Sequence, residues 1–203
     1  LRILETMRPE IQTGVPFVVL EPSCAAVFRD ELTNLLPHDE DGARLARQTY
    51  TLGEFLDRKA PGFAWPRLQG RALLHGHCHQ KAVLDYDREE AALRRLGLDV
   101  WAPDTGCCGM AGAFGFESGD HYDVSVACGE RALLPAVRQA EDSALIVADG
   151  FSCREQIAQG TDRVALHLAQ VLELALTSDP PFGARLCVRR DALEIFFYSN
   201  RPD

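Results

Sequence analysis

Apolar positions along this chain alternate between short runs and longer stretches at helical spacing. The runs at residues 16–20, 71–75, 98–102 and 144–148 are five residues each, the length and composition of strands buried on both faces. Between them the apolar residues recur every three or four positions, which predicts helices over residues 25–36, 43–59, 80–96, 121–139, 154–158 and 164–176. Pro37 ends the first, Ala60-Pro61-Gly62 breaks the second, Gly97 sits as a C-cap after the third, and Pro135 predicts a kink in the fourth. Strands that alternate with helices predict an α/β fold: parallel strands joined by right-handed crossover helices, all four strand-to-helix loops opening on one edge of the sheet.

That edge is where the cysteines fall. Cys24 follows the first run, Cys78 the second and Cys153 the fourth, while the third feeds Gly106-Cys107-Cys108-Gly109-Met110-Ala111-Gly112. Adjacent thiols suit a multi-iron cluster better than a single tetrahedral ion, although a four-cysteine zinc site is the alternative. Gly106, Gly109 and Gly112 would let the backbone approach closely enough to offer N–H groups to cluster sulfur. A vicinal Cys107–Cys108 disulfide closes a strained ring and leaves the other cysteines unexplained. Cys128 falls mid-helix among Val124, Val126 and Ala132 and reads as a small hydrophobe, and Cys187 as incidental. His75, His77 and His79 alternate around Cys78 and are expected as hydrogen-bonding or solvent-exposed neighbours, and His167 as a packed or capping residue. Glu21, Asp104 and Asp149 flank the cysteine loops and are expected to face solvent, with the orienting of backbone amides as their other role.

Composition bounds the classes that remain. The 203 residues carry a formal charge of -9, with 46% hydrophobic and 25% charged positions, enough for one sizeable core or two small lobes. An acidic chain makes a poor surface for nucleic acid, no apolar stretch reaches the length of a membrane span, and the first residues lack a secretory signal's apolar segment. A cytoplasmic place follows, with the inner membrane face as a peripheral option, and an odd seven cysteines then favour thiolate chemistry over a disulfide framework. The start at Leu1 predicts the C-terminal fragment of a longer chain. Residues 1–176 form the expected domain; 177–203 read as linker and tail, with residues 185–188 and 193–198 able to pair as a hairpin.

An internal repeat is visible: Val18-Val19-Leu20-Glu21-Pro22-Ser23-Cys24 parallels Ile146-Val147-Ala148-Asp149-Gly150-Phe151-Ser152-Cys153. Together with His75-Gly76-His77-Cys78-His79 and the stretch from Gly106 to Glu117, the chain over residues 15–176 resembles the cysteine-rich CCG domain. That domain occurs in one of the subunits of heterodisulfide reductase, in the glycolate oxidase iron-sulfur subunit and in one of the subunits of anaerobic glycerol-3-phosphate dehydrogenase. The wording around Cys24 and Cys108 looks most like the C-terminal part of FAD-linked oxidases of D-2-hydroxy acids. The family's repeat commonly ends in Cys-x-x-Cys, whereas Glu21 and Gly150 stand at the first of those positions here. The gaps also differ, with 28 residues between Cys78 and Cys107 and 44 between Cys108 and Cys153.

The resemblance implies a pseudo-duplicated unit holding a [4Fe-4S] cluster, with Cys78, Cys107, Cys108 and Cys153 sufficient as ligands and Cys24 either a fifth or part of a separate half-site. It implies an electron-transfer module: a flavin dehydrogenase domain or subunit as donor, a ferredoxin-like cluster domain as neighbour, and a quinone or other carrier as acceptor. The ultimate donor would be D-lactate, D-2-hydroxyglutarate or glycolate. No dinucleotide fingerprint or P-loop occurs, so FAD belongs to a missing domain or partner. Reduction of a disulfide substrate at the cluster and a structural zinc module are the alternatives.

Overall fold

The computed structural model describes residues 2–177 and the backbone of residues 185–187 and 196–198. Short strands β1 (Phe17–Val18) and β2 (Thr49–Tyr50) pair in parallel, Phe17 opposite Thr49. Four more, β3 (Arg71–His75), β4 (Asp99–Trp101), β5 (Leu145–Ala148) and β6 (Ala165–Leu166), form a parallel sheet in the order β4-β3-β5-β6. β7 (Arg185–Cys187) and β8 (Phe196–Tyr198) pair antiparallel, as the tail pattern predicts. Residues 178–184, including the expected linker, lie outside the described residues.

Twelve helices accompany the described strands: α1 (Arg2–Thr6), α2 (Arg8–Thr13), α3 (Pro22–Ala26), α4 (Leu32–Leu35), α5 (Glu40–Gln48), α6 (Leu52–Arg58), α7 (Cys78–Val83), α8 (Asp87–Arg95), α9 (Asp120–Glu130), α10 (Leu133–Gln139), α11 (Phe151–Gly160) and α12 (Leu168–Thr177). A π-helical turn, Val27–Glu31, joins α3 to α4, so the helix expected over 25–36 is present but distorted at its centre. Three expected helices are each divided. Thr49-Tyr50-Thr51 pulls residues 49–50 into β2, after which Thr51 caps α6 in a reciprocal box with Glu54. The stretch 84–86 separates α7 from α8. Ala132, whose φ of -152° leaves the helical region, separates α9 from α10, which places Pro135 in the first turn of a new helix instead of at a kink. The helix expected over 164–176 gives its first residues to β6.

The pleat of the main sheet sorts side chains to two cores. Ala72, Leu74, Val100, Leu145, Val147 and Leu166 face the layer containing α6, α8 and α12. Leu73, Ile146, Ala148 and Ala165 face Leu133 and Val137 of α10 and Ile157 of α11. Cys108, Met110 and Cys153 belong to this second core, so part of the cysteine loop is built into the fold. The N-terminal helices enclose a third, small cluster of Leu4, Ile11 and Leu45 against Phe17 and Phe28. The sequence pattern places residues 16–20 in the same sheet as the other strands; instead, β1 pairs only with β2.

Candidate metal centre

In the order β4-β3-β5-β6 the chain leaves β3 toward β4 on one side and leaves β5 toward β6 on the other. The loops after β3 and β5 therefore diverge at the carboxyl edge, the place where ligands of open parallel sheets bind. Cys78 opens α7 after β3, Cys153 lies in the first turn of α11 after β5, and Cys107 and Cys108 arrive from the loop after β4. The structure brings these four together. The Cys107 thiol interacts with those of Cys78 and Cys108, and Cys108 in turn with Cys153. Cys153 is 1% exposed and Cys108 4%, whereas Cys78 and Cys107 reach solvent, so the group spans from core to surface.

Each approach has a local cause. Gly106, Gly109 and Gly112 all take positive φ, which folds the loop back on itself. At Gly109 the need is also steric, because a Cβ there would stand 2.3 Å from the Ser125 carbonyl oxygen and 2.9 Å from Cys128 Cβ. The Gly109 N–H donates to Cys107 Sγ at 3.4 Å. Lys81 holds the loop from the α7 side, donating from Nζ to the Gly106 carbonyl at 3.2 Å with Asp104 Oδ1 3.6 Å away. His77 caps α7: its Nδ1 accepts from the His79 N–H at 3.2 Å, while Gln80 Oε1 accepts from the His77 N–H at 3.0 Å. An imidazole that accepts in this way is neutral, and burial lowers the His77 pKa accordingly.

The remaining acids and histidines hold the frame. Burial lowers the His75 pKa to about 3, and its Nδ1 meets Thr105 Oγ1 beside the cysteine loop. Glu21 and Asp149, expected to face solvent, instead cap helices. Glu21 accepts from Ser23 Oγ at 2.8 Å and from the Phe151 N–H at 2.8 Å, and so spans the starts of α3 and α11. Asp149, 4% exposed, accepts from the Leu168 N–H at 2.9 Å. His167 caps α12 as expected, accepting from the Ala169 N–H at 2.9 Å; its Nε2 donates to the Leu20 carbonyl at 2.8 Å.

The thiols titrate as a crowded set. Cys107 is pushed up by its hydrogen bond with Cys108 and then by burial, against the Gly109 N–H. At Cys108 the hydrogen bond with Cys107 pulls down, but contact with Cys153 and burial outweigh it and hold the thiol at about 12. Burial raises Cys78, and the neighbouring Cys107 adds to the effect. Crowded, partly buried thiols resist ionisation one beside another, and a bound cation removes that resistance while releasing their protons. Among the described residues no three of His, Cys, Asp and Glu are grouped to hold a single metal ion. The sulfurs meet pairwise, Cys78 with Cys107, Cys107 with Cys108 and Cys108 with Cys153, and adjacent thiols as a donor set suit a multinuclear group better than one tetrahedral ion.

No family profile matches the chain. It is 30% identical over 161 residues to D-2-hydroxyglutarate dehydrogenase of Pseudomonas putida, covering 78% of this chain and 15% of that protein. One of the subunits of the anaerobic glycerol-3-phosphate dehydrogenase of Escherichia coli is 30% identical over 168 residues, covering 80% of this chain and 41% of that protein. The D-2-hydroxyglutarate dehydrogenase of Escherichia coli is 25% identical over 165 residues. The chain thus spans under half the length of each of these relatives.

Two further cysteines lie on helices near this group. Cys24, on α3, takes part in none of the thiol contacts among the described residues. Cys128 belongs to neither core of the main sheet; it is partly buried, its Sγ donates to the Cys107 carbonyl at 3.7 Å, and its thiol lies against that of Cys107. Its apolar neighbours on the helix give no sign of this, because the contact is made by a loop 21 positions away. Lys81 carries a weak signal: it is one of only two lysines, one helical turn after Cys78.

Proposed function

We propose that this chain is the iron-sulfur electron-transfer unit of an FAD-linked dehydrogenase acting on a D-2-hydroxy acid, with residues 1–176 as a pseudo-duplicated CCG-type domain and 177–203 as its tail. The observation that carries the proposal is the meeting of Cys78, Cys107, Cys108 and Cys153 at the sheet's carboxyl edge from three separate loops. These four thiolates would hold a [4Fe-4S] cluster, which supplies one-electron transfer when bound. The backbone N–H of Gly109 donates to one of the sulfurs, and such donors stabilise an anionic centre. Lys81 adds positive charge against the loop. Glu21, His77 and Asp149 hold the surrounding helix starts and take no part in moving electrons.

The names of the relatives support the donor. Two are D-2-hydroxyglutarate dehydrogenases and one belongs to an anaerobic glycerol-3-phosphate dehydrogenase. The short share of each that this chain spans fits a flavin domain and a ferredoxin-like domain lying on other sequence or on partners, with a quinone or another carrier taking the electrons. No helix among the described residues is long and apolar enough to cross a membrane. Supporting the pseudo-duplicated reading, β1-α3 and β5-α11 both pass from strand through an acid to Ser-Cys and a helix, and each is followed by a parallel partner strand and a capped helix. Gly150, where the family commonly has cysteine, lies against the His77 ring, which leaves no space for a side chain there.

Anaerobic purification or reconstitution with iron and sulfide tests the proposal. Brown protein with iron and acid-labile sulfide and an EPR signal responsive to dithionite is the expected result. Colourless protein that binds one zinc through the same cysteines, and no iron, would overturn it.

A further inference from the structure

We propose that Cys128 is a fifth thiol ligand of this site, paired with Cys107 on its outer side. The inference rests on reading the site as metal-binding, but it concerns a residue that neither the repeat nor the four-cysteine set contains. Cys128 packs against the loop and not into a core: α9 buries Ser125 and Gly129 on the face toward the loop, and Cys128 between them is partly buried and outside both main-sheet cores. What it faces is the double-cysteine loop, with Cys107 against its thiol and the Cys107 carbonyl 3.7 Å from Sγ.

The fold fixes that meeting. Gly109 lacks a Cβ where Ser125 and Cys128 press upon it, and a Cβ on Gly129 would stand 3.2 Å from the Cys108 carbonyl. Gln156 of α11 donates to the Ser125 carbonyl at 2.9 Å and so ties α9 to the helix that carries Cys153. Three elements therefore lock Cys128 in register with Cys107, on the solvent side of the thiol group. A thiophilic cation shared with Cys107 is the ligand chemistry that such a pair takes, with one proton released per thiolate bound.

Thiol footprinting tests this on the whole chain. Metal-free reduced protein is divided, one portion reconstituted with iron and sulfide and the other given Cd²⁺ alone, and both are alkylated and mapped by mass spectrometry. Alkylation of Cys128 is expected to slow about tenfold or more, together with Cys107, while exposed Cys24 reacts at its unloaded rate. A Cys128→Ser variant, close to isosteric at a partly buried position, is expected to show an altered EPR spectrum after reconstitution and weaker protection of Cys107 by Cd²⁺, and an unchanged spectrum with unchanged protection would overturn the inference. Protection of Cys107 without Cys128 in either portion would overturn the inference and leave the proposed function standing. Joint protection by Cd²⁺ with no uptake of iron would uphold Cys128 and sink the iron-sulfur reading, and no protection of Cys107 in either portion would sink both.

Discussion

Residues 17–24 and 145–153 both run from a strand through an acid to Ser-Cys and into a helix, yet Cys153 is 1% exposed among other thiols while Cys24 is exposed and makes no thiol contact among the described residues. The local sequence is sufficient for the strand, the cap and the helix start in both places. Sheet neighbours make the difference. β5 is an inner strand beside β3, whose following turn supplies Cys78, and the loop after β4 reaches across with Cys107 and Cys108. β1 has only β2 beside it, and the residue after β2 is Thr51, whose hydroxyl caps α6. A cysteine at a strand end becomes a ligand candidate when the adjoining strands end in cysteine too.

Removing the two cysteines in turn is the strongest way to break this comparison. Cys153→Ser is expected to cost nearly all of the bound iron after reconstitution, because the sulfur at the buried end of the group is lost. Cys24→Ser is expected to change iron content by less than about a tenth, since none of the other thiols depends on it. Iron and sulfide analysis of the two proteins side by side decides the matter. Equal loss from both would mean that the two halves serve one centre, contrary to the difference in their surroundings.

Much of this contrast is legible in the sequence, and the failures are instructive. The main strand at residues 71–75 and the convergence of the loops after it follow from apolar runs and crossover topology, which depend on residues close in sequence. β2 and β6 are not legible, because two-residue strands such as Thr49–Tyr50 carry no periodicity and exist only through their partners. Cys128 escapes a sequence reading for the same reason: its helix predicts a face, but the loop against that face is set by positive φ at Gly109. Glu21 and Asp149 read as solvent-facing acids, since the helix starts that they satisfy are distant in sequence.

A smaller effect separates two buried acids of the frame. Glu54, fully buried, is held by Arg29 at 2.6 and 2.7 Å, whereas neither carboxyl oxygen of Glu89 has a hydrogen-bond partner among the described residues. The Thr51 hydroxyl lies near enough to ease the charge on Glu89 but outside hydrogen-bond geometry. Burial, helped by the charge of Asp149, raises the Glu89 pKa to about 8. Between the ordinary carboxyl range and pH 8 the folded chain keeps a proton that the unfolded chain has lost, so stability falls as pH rises through that window. His75 works in the opposite sense: the folded chain refuses a proton that the unfolded chain accepts below about 6.5, and stability falls as pH drops toward 3. The two slopes oppose each other in the range they share, leaving Glu89 alone from about pH 6.5 to 8, where it is worth roughly 2 kcal/mol. Urea unfolding across that range should show this decline in the native chain and not in Glu89→Gln. An identical decline in the variant would assign the slope to other groups.

The smallest expected effect probes the tie between the two Ser-Cys stretches. Glu21 accepts from Ser23 at its own helix start and from the Phe151 N–H 130 positions away, so one carboxylate serves both. Glu21→Ala removes a cap and a long-range acceptor at a partly exposed site, which is expected to cost about 1–2 kcal/mol by urea unfolding. Glu21→Gln keeps an oxygen for one of the two helix starts and should lose about half as much. Iron uptake should stay unchanged in both, because the tie joins Cys24's helix to Cys153's without touching a thiol. Loss of iron in Glu21→Ala would show that the placement of Cys153 depends on the first stretch, and the two regions would then have to be treated as one site.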